Sequence, residues 1–185
     1  MKKIESFIKK YEKKYFNSAK IDKFLTIKLK NLYEITINIK KNNNKILIFG
    51  NGGSAAIASH FSVDMTKIGK IRTVNFNESD LLTCFSNDYG YENWVQKALS
   101  FYADKGDLLI SISSSGESEN IINGSKFAKR IGCKVVTLTG FNKNNKVRKI
   151  GHVNLWLESK NYNFVEMVHH TWLLSIVDFI AKAKF

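Results

Sequence analysis

Two short apolar runs in this chain each end in a stretch of small polar residues. Ile46-Leu47-Ile48-Phe49 leads into Gly50-Asn51-Gly52-Gly53-Ser54, and Leu108-Leu109-Ile110-Ser111-Ile112 leads into Ser113-Ser114-Ser115-Gly116-Glu117-Ser118. Glycine lets backbone N–H groups approach an anion closely, and serine hydroxyls at a helix start cradle a phosphate monoester without a cationic side chain. The same residue types also suit a tight turn and a helix cap. Neither stretch carries the lysine of GxxxxGK[ST] or the spacing GxGxxG, which argues against a nucleoside triphosphatase and against a nucleotide cofactor. The titratable side chains form a third group: His60 and Asp64, four apart, and Glu166, His169 and His170 at i, i+3 and i+4. On a helix the Glu166 carboxylate shares a face with either imidazole. Pooled with His60 and Asp64 they offer up to three nitrogen and two carboxylate donors. That set suits zinc or another divalent cation, with His60, Asp64, Glu166 and His170 as the expected ligands.

Positioning these groups takes strands that end at the loops and helices that begin there. Beyond Asn42-Asn43-Asn44, the apolar runs 46–49, 73–76, 108–112, 135–138 and 153–157 read as strands buried on both faces. Helical stretches at about 53–67, 91–103 and 118–131 separate them, and a closing helix covers about 163–184. Alternating strands and helices predict a parallel sheet in a doubly wound α/β fold, where ligands gather at the carboxyl ends of the strands. Ahead of the first strand, apolar residues from Ile4 to Ile39 recur at helical spacing, with a break at 16–20 and Ser18 as the expected cap of a second helix. This arm, 1–44, is expected to precede the main domain, 45–185. Another subunit or the chain's own body would cover its apolar stripe.

The length of 185 residues fits one domain, and 29 basic residues face 16 acidic ones. The excess is uneven, since residues 1–45 hold 13 Lys against 4 acids. Only Arg72, Arg130 and Arg148 carry the guanidinium fork that phosphate and base readout favour, so nucleic acid is not an expected partner. Cys84 and Cys133 have neither metal-knuckle nor redox spacing and are expected to be reduced core thiols. No apolar run of membrane-spanning length and no secretory start is visible, so no membrane partner is expected and the cytoplasm is the default compartment.

Taken together, Gly50 to Ala56, His60-Phe61, Asn87-Asp88-Tyr89-Gly90-Tyr91-Glu92 and Ser111 to Ser118, in this order and spacing, resemble the phosphoheptose isomerase branch of the sugar isomerase (SIS) domain family. The likeness extends to Leu138-Thr139-Gly140 and the helical arm. It implies a three-layer α-β-α sandwich with a five-stranded parallel sheet, flavodoxin-like or Rossmann-like. It also implies a homotetramer built on helices and a phosphosugar held at subunit borders. The implied activity is conversion of sedoheptulose 7-phosphate to an aldose heptose 7-phosphate for lipopolysaccharide, capsule or surface-layer sugars. By the resemblance, Ser113, Ser114, Ser115 and Ser118 hold the phosphate, while Asn51, Gly52, Gly53, Asn87 and Asp88 line the sugar pocket with Ser54 beside them. Asn87 and Asp88 equally suit a cap for the next helix.

The family pattern has His and Glu four apart after the glycine loop, and Gln followed eight residues later by His on the closing helix, around a zinc ion. Here those positions read His60 and Asp64, then Glu166 and Leu174. A leucine neither ligates a metal nor moves a proton. Isomerisation needs a base, for which Asp64 or Glu166 is expected, and a group that returns the second proton, for which His169 or His170 is expected. Stabilisation of the enediol charge completes the set. The alternative at this point is a non-catalytic SIS module that binds a phosphosugar or a protein.

Overall fold

A computed structural model describes residues 2–184. The elements in chain order are α1 (Lys2–Ala19), α2 (Lys23–Lys41), β1 (Ile46–Phe49), α3 (Gly53–Lys67), β2 (Thr73–Val74), α4 (Ser79–Tyr89) and α5 (Trp94–Tyr102). They continue with β3 (Leu108–Ser113), α6 (Glu119–Arg130), β4 (Lys134–Thr139), β5 (Val153–Trp156) and α7 (Tyr162–Ala181). The five strands form one parallel sheet in the order β2-β1-β3-β4-β5. The expected α-β-α sandwich is therefore the observed one.

Strand alternation divides the core in two. Ile46, Ile48, Leu108, Ile110, Val136 and Leu138 pack toward α2, α3 and α7. Leu47, Phe49, Leu109 and Val135 pack toward α5 and α6, with Leu81, Leu82 and Phe85 of α4 at the margin. Each such side chain removed from water contributes about 1.5–3 kcal/mol, which is why runs apolar at every position fold as central strands. At the opposite end from the loops, Lys45 clamps the starts of β1 and β3 by pairing with buried Asp107 at 2.6 Å. Burial alone would raise the Asp107 carboxyl. The Lys45 ammonium and two backbone N–H groups hold it below the usual carboxylate range.

Several expectations need correcting. α2 is not part of a separate arm: its Leu29, Leu32, Thr36 and Ile39 are buried in the sandwich, whereas α1 buries no residue. Ser18 does not cap α2. It lies in the last turn of α1 and donates to Lys14 O, while the Asp22 side chain accepts the Leu25 N–H at 2.7 Å. The second strand stops at Val74, and the unforeseen α4 follows it. Cys133 is buried, its thiol pushed up to about 11 chiefly by desolvation, but Cys84 is exposed rather than in the core. By length and composition α7 is apolar enough to cross a membrane, contrary to the sequence reading. Its Phe164, Val165, Val168, Trp172 and Leu173 instead form one wall of the sandwich.

Candidate active site

From β1 the chain turns outward to β2, then crosses back to β3 on the other side, so the crevice between the carboxyl ends of β1 and β3 is the switch point of the sheet. A cavity of about 230 Å³ opens there. Asn51 and Ser54 line it after β1, Ile112 to Ser115 and Ser118 after β3, and Tyr162 and Glu166 from α7. No cationic side chain is among the lining groups.

The serine loop is held in shape from behind. Gly116, at φ +70°, donates its N–H to Ser113 O and Oγ at 3.0 and 3.1 Å, and a side chain there would strike buried Asn145. Ser113 Oγ and Ser118 Oγ lie 3.1 Å apart, and Ser115 Oγ accepts the Glu117 N–H. Ser114 Oγ is buried without a hydrogen-bond partner. Ser118 precedes α6 without a side-chain cap bond, which leaves the amino-terminal N–H groups of that helix available to an anion. A phosphate monoester would satisfy both orphan sets.

Across the crevice, Asn51 and Asn120 exchange amide hydrogen bonds at 3.0 and 2.9 Å, and Tyr91 donates its hydroxyl hydrogen to Asn51 Oδ1 at 3.1 Å. The pair locks the glycine loop to α6. Gly52, at φ +54°, turns the chain into α3. Gly53 lies directly beneath the Glu166 carboxylate, so that a Cβ would collide with it. Burial pushes the Glu166 carboxyl above the usual carboxylate range. A desolvated carboxylate facing a cavity of hydrogen-bond donors is a base poised for proton abstraction.

The two histidines of α7 part company. His169 is fully buried with its Nε2 3.1 Å from Thr139 O, and desolvation pulls it down to about 4. It is a neutral core histidine and not the second catalytic group. His170 is half-buried one turn beyond Glu166, its Nε2 2.8 Å from His60 Nδ1, and His60 Nε2 is 3.2 Å from Asp64 Oδ2. With both rings neutral, His170 donates to His60 and His60 donates to Asp64, so every partner is satisfied. Burial first, and His60 second, lower the His170 pKa.

Of the expected ligand set, His170, His60 and Asp64 stand in a hydrogen-bonded row, while Glu166 lines the serine cavity. Among the described residues no three His, Cys, Asp or Glu side chains gather around a common point. The facing ring nitrogens are spent on each other, so the donors as arranged do not fit zinc. Asn87 and Asp88 lie exposed in the last turn of α4, bonded to each other at 3.0 Å, and neither lines the cavity nor caps α5, whose cap position is Asn93. Leu174 is half-buried in the groove between α2 and α7, away from the cavity.

The SIS domain family matches residues 17–140. Over 159 residues, 82% of this chain and 82% of the relative, the chain is 36% identical to the phosphoheptose isomerase of Aliarcobacter butzleri. The chain belongs to the SIS domain family, in its phosphoheptose isomerase branch. This SIS domain is also 31% identical to the phosphoheptose isomerase of Helicobacter pylori over 160 residues, 83% of each chain. Its fold superposes on the phosphoheptose isomerase structure from Neisseria gonorrhoeae with a TM-score of 0.89 and 27% identity, covering 96% of this chain and 99% of that one. Sequence reasoning missed Tyr162, which lines the cavity, and Asn120 and Asn145, which hold its loops in place. Asn120, two residues after Ser118 in the first turn of α6, was the one with a positional signal.

Proposed function

We propose that this protein is a phosphosugar isomerase that converts sedoheptulose 7-phosphate, or a related ketose phosphate, to the aldose phosphate through an enediol. The observation that carries this reading is that Ser114, whose Oγ is buried without a hydrogen-bond partner, and Glu166, a desolvated carboxylate, line one cavity. The names of its relatives support the choice of substrate class.

In this reading the serine loop and the start of α6 bind the phosphate by hydrogen bonds and helix dipole. That anchors the sugar so that its reacting carbons reach Glu166. The Glu166 carboxylate takes the proton from the carbon next to the carbonyl and returns it to the neighbouring carbon. Negative charge develops on oxygen as the enediol forms, opposite the first turn of α3, whose dipole favours it. His170, backed by His60 and Asp64, exchanges the hydroxyl proton from one turn away. No step runs through a metal ion. Leu174 does not interrupt this set, because it stands outside the cavity. The catalytic groups are thus Glu166 with His170, and Asp64 orients His60. The exposed apolar residues of α1 support assembly as a homotetramer.

The test is proton exchange in D₂O with sedoheptulose 7-phosphate, followed by NMR. Wild type is expected to release the substrate proton and form the aldose phosphate. Glu166→Gln should lower kcat by about 100-fold or more, in the range of general-base removal. Because the Glu166 carboxyl is raised, the acid limb of kcat/KM should lie above the ordinary carboxylate range and vanish in Glu166→Gln. Full exchange in that variant would sink the assignment.

A further inference from the structure

A second depression of about 550 Å³ runs along the free edge of β5, more than twice the 230 Å³ of the serine cavity. Lys28 and Asn31 of α2 form one wall, Lys143, Arg148 and Lys149 of the β4–β5 connection form another, and His152 stands at the foot of β5. No carboxylate lines it, and none of the three lysines or Arg148 forms an ion pair among the described residues.

Arg148 is arranged in advance. Its guanidinium carbon lies 5.0 Å from the centre of the Trp156 ring, and Nη1 donates to Lys143 O at 2.6 Å. Its backbone N–H donates to Asn145 Oδ1 at 2.9 Å. A guanidinium stacked and bonded on one side presents the rest of its fork at little entropic cost. Lys28 is half-buried beside it. Burial and the Arg148 charge hold its ammonium below the usual lysine range, against the opposite pull of Asp22. His152 Nδ1 accepts the Val135 N–H at 3.0 Å, which places the proton of the neutral ring on Nε2 as a further donor. Like charges gathered without a counter-charge repel, and an oxyanion bridging them removes the repulsion.

We propose that this depression is a second anion site, distinct from the phosphosugar cavity, built for a diphosphate-class ligand. The cationic groups come from two separate segments, α2 and the β4–β5 connection, and surround more room than one phosphate monoester fills. The fork of Arg148 and the ammonium groups of Lys28, Lys143 and Lys149 match two adjacent phosphoryl groups. A single-stranded nucleic acid fits less well, since it needs open aromatic faces and the Trp156 ring is already covered by Arg148.

The test is calorimetric titration of the full chain with inorganic pyrophosphate and with inorganic phosphate at about 0.15 M salt, where surface attraction is screened. Pyrophosphate is expected to bind about tenfold more tightly than phosphate, a difference of about 1.4 kcal/mol. The Lys28→Ala, Arg148→Ala double variant should lose that binding by about tenfold or more, while Ser114→Ala, Ser118→Ala keeps it. Should the first pair of changes unfold the protein, Lys143→Ala, Lys149→Ala, both at exposed positions, serves in its place with a loss of about threefold or more. Pyrophosphate affinity unchanged in the basic-site variants, or lost only in the serine variant, overturns the proposal. So does an oligonucleotide that displaces pyrophosphate and binds more tightly, which would hand the surface to nucleic acid.

Discussion

At position 53 the absence of a side chain decides where the Glu166 carboxylate sits. Glu166 rests over the Gly53 Cα, at the start of a helix whose dipole attracts it, and any Cβ there would push it away. Gly53→Ala therefore separates catalysis from stability. Alanine is the better helix former by about 0.5–1 kcal/mol, so the melting temperature should hold or rise. The displaced carboxylate should cost about 100-fold in kcat, the usual penalty for a misplacement near 1 Å. Parallel melting and rate measurements check it, and an unaltered rate would mean that Glu166 acts from elsewhere. That Glu166 shares a face of α7 with an imidazole was legible from helical spacing. Which imidazole was not, because His169 and His170 are neighbours in sequence and their faces differ only once α7 is packed.

Within one helix, α7 carries two groups that burial shifts in opposite senses: Glu166 raised and His169 lowered to about 4. For His169 the unfolded chain binds a proton near 6.5 and the folded chain only near 4. Its neutral form is thus fully compatible with the fold above 6.5, and stability drains as pH falls from 6.5 toward 4, by about 3 kcal/mol in all. His169→Gln keeps a donor for Thr139 O and removes the titration. Thermal melts of this variant should lose much of the fall between pH 6.5 and 4 that wild type shows, and an identical profile would assign the acid sensitivity to other groups. The β4–β5 connection is a second case of an element with two faces. It backs the serine loop, with the Val147 N–H donating to Gly116 O at 3.0 Å and Lys146 bonded to Glu117, while its other side carries Arg148. In the sequence these residues, Asn142 to Lys149, form an Asn- and Lys-rich stretch without a recognisable motif.

For the molecule as a whole, the two amino-terminal helices play different parts. α2 closes one layer of the sandwich, whereas Ile4, Phe7, Ile8 and Phe16 of α1 remain more than half exposed. α1 touches the body through Tyr11 and Tyr15 against Phe164. An apolar row of this kind left in water marks an association surface. Phe7→Glu with Ile8→Glu should reduce the proposed homotetramer to a smaller species in light scattering. The melting of the α/β core should change little, because neither residue is buried in it. An unchanged mass would place the assembly surface elsewhere, with the groove along Tyr33, Leu174 and Phe179 as the next to mutate.

The sequence alone determined the parallel sheet, the crevice after β1 and β3 and the serines that line it. These follow from local pattern: apolar runs buried on both faces, and small polar residues where a strand meets a helix start. Tertiary structure alone decided that His169 is core and His170 is not, that Asn120 answers Asn51, that Asp22 rather than Ser18 starts α2, and that His170 bonds to His60. Each of these depends on the rotation of one element about its axis against another. That rotation is set by packing over the whole core, which no single stretch of sequence encodes.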